Sequence, residues 1–312
     1  MTEPVIIGAF VAAVVQAGTA ILLAALGELI LERAGVLNLG VEGIMLVGAL
    51  AGFATSHTTG DAVLALSAAA GTGVLMGLLH GGITVVLGAS QVVTGMAFML
   101  LGTGISGFFG QSLIGATAPG LRPLPIPVLA SIPILGQAFF RHDPLVYLSL
   151  ALVPVITFAL DRTTWGLALR AVGENPEAAD VRGIPVIGTR LTAGAIAGAL
   201  AGIAGAHLSL AYNRMWIERM VAGRGWIALA VVIFSLWRPW RAVLGAYLFG
   251  GVSAATFRLQ ALGVTVSAPL LQTLPYLTTI VVLVLIAWRA SRRRLPGAPA
   301  ALTIPFRREE RR

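Results

Sequence analysis

The chain has 312 residues, 57% of them hydrophobic and 11% charged, with a mean hydropathy of +0.90. A soluble domain carries about 25% charged residues, so the composition excludes an ordinary soluble enzyme and predicts an all-α integral membrane protein built as a polytopic helical bundle. There is no cysteine, which removes disulfides and thiolate metal sites, and the four histidines have no supporting carboxylates that would predict a metal or cofactor site. The net charge of +8 comes from 21 arginines and no lysine. Eight of those arginines fall from Arg289 onward, including Arg292-Arg293-Arg294 and Arg311-Arg312, so they read as a positive cytoplasmic tail and not as a nucleic-acid patch.

Met1-Thr2-Glu3-Pro4 lacks a basic region, so the first span reads as retained and not as a cleaved signal. A crossing needs about 20 apolar residues, and 5–26 satisfies this before a short polar link from Gly27-Glu28 to Glu32-Arg33. A second span, 36–55, is interrupted by Asn38-Leu39-Gly40-Val41-Glu42-Gly43; a third, 62–88, is long enough to tilt, and 92–109 is a fourth. With five prolines and two arginines, 111–143 reads as an extracytoplasmic segment with short helices. A fifth span, 144–160, ends at Asp161-Arg162, and 187–210 returns through the membrane. After an amphipathic polar link at 212–224, the 11-residue stretch 226–236 is a half-span, or a helix tucked against its neighbours. Trp237-Arg238-Pro239-Trp240-Arg241 reads as an interfacial turn with both tryptophans at headgroup depth. Spans at 242–257 and 268–288 bring the expectation to about nine transmembrane helices, within a range of eight to ten, some of them interrupted. The organisation expected is a transmembrane domain over 1–290, with a loop at 162–187, and a basic tail over 291–312. Arginines at 162, 170, 182 and 190 place that loop, like the tail, in the cytoplasm.

The most polar interior stretch, Arg170 to Pro185, carries a complete short-helix signature. Asn175 can cap, Pro176 suits the first helical position, and Glu177 and Asp180 favour the positive end. Gly183 supplies the left-handed stop and Pro185 forbids continuation. A punctuated helix between hydrophobic spans is shaped to be gripped from outside the membrane.

Elsewhere, Gly102-Thr103-Gly104-Ile105-Ser106-Gly107 matches a dinucleotide fingerprint, but it lies in an apolar span and follows no strand, so helix packing is the better reading. Gly194, Gly198 and Gly202 form a small-residue face for close helix approach. Without lysine there is no phosphate-binding Gly-Lys-Ser/Thr loop, so any ATP must bind another subunit. No Ser-His-Asp set or buried carboxylate pair predicts catalysis. Asp143 beside His142 reads as part of an aqueous loop, and His80 and His207 as isolated core histidines. Glu42 stands out, because a charge facing lipid inside a span costs roughly 2.5–3.5 kcal/mol or more. The glycines around it permit an unwound, cavity-facing backbone. Glu42 and Asn38 therefore line a substrate path, or else Glu42 is a structural partner of an arginine such as Arg33, or the stretch is a helix break held by water. Gln91 and Thr94 are weaker candidates for the same wall.

Gly27 to Gly43, running Gly-Glu-Leu-Ile-Leu-Glu-Arg-Ala-Gly-Val-Leu-Asn-Leu-Gly-Val-Glu-Gly, resembles the amino-terminal signature of permeases of nucleoside-type ABC importers, in a wider group that also serves ribose-like sugars and branched-chain amino acids. The stretch Arg170-Ala171-Val172-Gly173-Glu174-Asn175-Pro176 through Gly183-Ile184 is similar to that group's ATPase-contacting cytoplasmic loop. Gly223-Arg224-Gly225-Trp226-Ile227-Ala228-Leu229-Ala230 is similar to a third recurrent stretch. The resemblance implies a non-enzymatic pore subunit of a bacterial cytoplasmic (inner) membrane. Its partners would be two ATPase subunits, a second related permease and an extracytoplasmic substrate-binding lipoprotein. It implies alternating access for a small-molecule solute, with Arg170, Glu174, Asn175, Pro176, Glu177, Asp180, Arg182 and Gly183 in the coupling segment. A sugar or branched-chain amino acid as cargo, and a stand-alone secondary transporter, are the alternatives. Residues 295–312 carry no part of the resemblance.

Overall fold

The computed structural model describes residues 3–262, 266–271, 273–292 and 297–306, most of them helical. Met1 and Thr2 of the amino end, and Arg293, Arg294, Arg307, Arg308, Arg311 and Arg312 of the basic tail, lie outside the described residues. In chain order the helices are α1 (Glu3–Arg33), α2 (Val41–Thr59), α3 (Ala62–Gly81), α4 (Gln91–Gly110), α5 (Leu135–Phe139), α6 (Pro144–Arg162), α7 (Thr164–Glu174), α8 (Pro176–Val181), α9 (Val186–His207), α10 (Arg224–Phe234), α11 (Pro239–Ala261), α12 (Ala268–Leu271) and α13 (Leu274–Arg292). π-helical turns at Gly82–Val86 and Leu208–Tyr212 extend α3 and α9.

Six helices among the described residues are long and apolar enough to cross a membrane: those in α1, α3, α4, α6, α9 and α11. This is fewer than the nine spans expected from hydropathy. The 11-residue α10 and the apolar stretch Leu274–Leu285 of α13 are shorter. Helix α2 has Glu42 in its first turn and Ser56, His57, Thr58 and Thr59 at its end, which lower its hydropathy.

Helices α1 and α9 form the centre, and almost every residue of α1 from Val15 to Leu31 is buried. Around them pack α2, α3, α10 and α11. Between α3 and α9, glycines replace side chains. A Cβ on Gly73 would meet the backbone of Gly198, one on Gly77 that of Gly194, and one on Gly202 the carbonyl of Ala69. That close approach, and not a nucleotide, is also the use of Gly102, whose Cβ would enter the backbone of Gly43; Gly104 and Gly107 face open space.

Three expected local structures take another form. The polar link after the first span is helix: α1 continues unbroken to Arg33, and Glu28 and Glu32 are buried because Asn38 and Trp237 supply N–H donors to their carboxylates. Trp237 is accordingly buried, whereas Trp240 is half exposed with Arg241 over its ring. Asp143 does not sit in an aqueous loop. It caps α6 through the Leu145 N–H and lies buried beside His207 at 3.7 Å, so His207 is not an isolated core histidine; Gln16 also donates to Asp143 at 3.0 Å.

One face of the molecule gathers the end of α1, the α7–α8 segment and residues 297–306. At the other end of α1, Gly8 packs on Ile134 beside α5, within the segment 111–143 whose two-residue strands Leu124–Pro125 and Arg141–His142 pair antiparallel.

Candidate functional site

Between α1 and α2 the chain turns at Gly35, which adopts φ +81°, and runs without regular structure to Gly40. Unpaired backbone groups buried here would be costly, and buried side chains satisfy them. The Glu28 carboxylate accepts the Asn38 N–H at 2.9 Å, Asn38 Oδ1 accepts the Gly40 N–H at 2.9 Å, and Gln91 Oε1 accepts the Leu37 N–H at 2.7 Å. Among the described residues, Gln91 Nε2 is buried without a hydrogen-bond partner, as is Nε2 of His80, whose ring meets Phe98 edge-on at 5.6 Å. Thr94 is buried three residues beyond Gln91 on α4.

Glu42 lies next along the same break, in the first turn of α2. Its two carboxylate oxygens accept the N–H groups of Gly223 at 2.8 Å and Gly225 at 2.7 Å. Helix α10 has no side-chain cap of its own, and its N-cap Gly223 sits at φ +81°. Glu42 therefore caps α10 from another helix, satisfying orphan donors at a positive helix end inside the bundle. The fit requires glycine, since a Cβ on Gly225 would stand 2.6 Å from the Glu42 backbone nitrogen. Arg224, between the two donors, turns away to the Met220 and Val221 carbonyls and lies 5.5 Å over the Tyr212 ring. It also reaches a cavity of about 330 Å³ between α10, α11 and α13, lined in part by Ser253, Thr256, Phe257, Gln260 and Tyr276. Asn38 and Gln91 thus share one buried hydrogen-bonded break with Glu28, Glu42 braces the adjoining helix start, and Thr94 follows along α4.

The second polar assembly lies at the end of α1. Asn175 Oδ1 accepts the Ala178 N–H at 2.9 Å, Pro176 opens α8, and Gly183 stops it at φ +81°. Glu174, Asn175, Glu177, Arg182 and Gly183 are exposed, and Pro176 and Asp180 half-buried. Arg170 is half-buried on α7 and donates to the Gly166 carbonyl. Gly173 lies flush against the Arg33 carbonyl, fixing the segment to α1.

Composition and motifs alone did not single out Glu28, Glu32 or Arg190. The i, i+4 spacing of the two glutamates puts both on one face of a helix, which is a usable signal. Arg190 gave none, because it reads as one more loop charge, yet its side chain is almost wholly buried. Among the described residues no group of three or more His, Asp or Glu is placed to hold a metal ion.

The helical bundle thus combines six helices long and apolar enough to cross a membrane, a broken, carboxylate-braced pair of helix starts and an exposed capped helix at one end. The chain belongs to the family described as branched-chain amino acid transport system / permease component, which matches residues 5–287. It is 44% identical over 319 residues to a protein of Haloferax volcanii provisionally named as a glucose ABC transporter permease, covering 95% of this chain and 97% of the relative. It is 32% identical to the nucleoside ABC transporter permease protein NupC of Lactococcus lactis subsp. cremoris, over 89% of this chain and 92% of that one. The guanosine ABC transporter permease protein NupQ of Bacillus subtilis is also 32% identical, with the same coverage. The chain is a multi-pass permease subunit of the ABC importer kind, a membrane channel component and not an enzyme.

Proposed function

We propose that this permease forms, with a second related permease, the pore of an importer for nucleosides, powered by separate ATPase subunits and fed by an extracytoplasmic binding lipoprotein. The observation that carries this reading is the capped, exposed α8 at the end of α7, whose Gly173 lies against the end of α1, a handle through which an ATPase outside the membrane can move the central helix. The proposed setting is the bacterial inner membrane, with α8 and the carboxyl-terminal segment cytoplasmic. Arg170, Glu174, Asn175, Pro176, Glu177, Asp180, Arg182 and Gly183 form the ATPase contact. Asn38, Glu42, Gln91 and Thr94 shape the solute path. Glu42 does so by holding the start of α10, since both its oxygens are already engaged by backbone. Movement of α8 is transmitted to the two helix breaks, whose short α10 can shift with less disruption than a full span.

Nucleoside cargo is supported by the relatives named for nucleoside and guanosine transport and by the 27–43 signature. Sugar cargo is a second reading, favoured by the relative named for glucose. The deciding experiment reconstitutes the complete importer with its binding protein and measures ATP-dependent uptake of labelled guanosine, adenosine and glucose. Saturable nucleoside uptake that excess glucose does not inhibit is expected. Glucose uptake alone would replace the cargo, and gradient-driven uptake by this chain alone would replace the mechanism.

A further inference from the structure

Residues 297–306 pack onto the α7–α8 segment. Ala301 is 4% exposed and donates its N–H to the Gly173 carbonyl at 2.9 Å, and the Ala300 N–H approaches the Glu174 carboxylate at 3.4 Å. The Ala301 carbonyl lies so near Gly35 that a Cβ there would stand 3.1 Å from it. Phe306 packs on the small apolar cluster of Val172, Ala179 and Val186. Beneath them is Arg190, 1% exposed, which donates to the Ala34 carbonyl at 3.1 Å and the Ile304 carbonyl at 3.3 Å. One buried guanidinium therefore joins the end of α1, the start of α9 and the carboxyl-terminal segment. Helix α8 itself buries only Ala179, and a six-residue helix with one buried side chain has little rigidity of its own.

We propose that residues 297–306 are a strut of the coupling segment: they clamp α7 and α8 to the end of α1, so that a push on α8 moves the membrane helices and does not merely tilt α8. Arg190 is a positioning residue in this device and Ala301 its buried contact. The proposal rests on the reading of α8 as the ATPase contact. Without the strut, ATP hydrolysis continues while less solute moves per ATP.

The test uses the complete reconstituted importer and measures assembly, ATP hydrolysis and solute moved per ATP for Ala301→Glu, with Ala301→Ser as the conservative control. Ala301→Glu puts a charged side chain at a buried position of the docked segment. It is expected to leave the ATPase subunits bound and hydrolysing while transport per ATP falls at least about 5-fold, with Ala301→Ser close to wild type. A purely structural contact would change yield or thermal stability without altering the ratio. An unchanged ratio in assembled Ala301→Glu overturns the strut. Should that variant fail to assemble, Phe306→Ala decides, with about a 2-fold or larger fall supporting the strut and no fall overturning it. Glu177→Arg combined with Asp180→Arg separates the two readings. If this pair uncouples transport but Ala301→Glu does not, the strut alone is wrong; if the pair leaves assembly and coupling intact, α8 is not the ATPase contact.

Discussion

Glu42 stands in the first turn of one helix and caps another, with one carboxylate oxygen for each of two backbone N–H groups. Glutamine offers a single oxygen, so Glu42→Gln leaves one buried donor facing an NH₂ group, a loss of about 1–3 kcal/mol. Glu42→Gln should lower the melting temperature of the purified permease and reduce uptake, with the ATPase subunits still co-purifying. Unchanged stability and uptake would remove the bracing role. Asp143, just outside the membrane helices, titrates under opposed influences. Burial pushes its carboxyl up, but the adjacent His207 ring and the N–H groups of Leu145 and Val146 outweigh burial and hold it below its ordinary value. A group depressed in the folded state stabilises fully above its unfolded pKa, about 3.9, and loses that contribution as pH falls through the lower folded value. Thermal stability should therefore change little through Asp143 between about pH 7 and pH 5 and fall in the more acid range. In Asp143→Asn, which retains an N-capping side chain, the acid decline should be shallower. An identical decline in both proteins would assign it elsewhere.

Glycines of α3 serve unequal purposes. Gly71 has nothing within 4 Å of a prospective Cβ, whereas Gly73 would drive one into the Gly198 backbone of α9, which cannot yield as a side-chain tip can. Gly71→Ala should be neutral or stabilising by up to about 1 kcal/mol, as for glycine in a helix interior. Gly73→Ala should destabilise by about 1–3 kcal/mol or more through overpacking. Thermal denaturation of the pair checks this, and equal effects would mean that α3 and α9 do not touch at Gly73. Features resting on adjacent residues were readable in advance: the cap, first-turn proline and glycine stop of α8, and the glycine ladder of α9. Features resting on distant partners were not. Hydropathy divided α1 from its last turns because Glu28 and Glu32 look solvent-bound until Asn38 and Trp237 are placed beside them. The same blindness put Asp143 in water. For Glu42, the sequence admitted a path-lining role, an arginine partner or a water-held helix break, and only the position of Gly223 and Gly225 reveals what its oxygens touch.

At the scale of the molecule, the segment 111–143 and the α7–α8 face with its docked carboxyl-terminal residues lie at opposite ends of α1. The absence of cysteine makes their sidedness measurable, because a single introduced thiol is the only one available for labelling. Val128 is 81% exposed and Thr303 is also exposed. Val128→Cys should react with a membrane-impermeant maleimide added outside intact cells, and Thr303→Cys only after the cytoplasmic side is opened. Labelling of both from one side would overturn the proposed orientation. The bond between the Trp237 indole and Glu32 has a consequence in time as well as space. Its partners are 205 residues apart, and at a synthesis rate of about 5–20 residues per second roughly 10–40 s elapse between their appearances. For that interval Glu32 is without the indole that later donates to it. The bond can close only once the chain beyond α10 has been made, so the order of synthesis bears on how this bundle finds its shape.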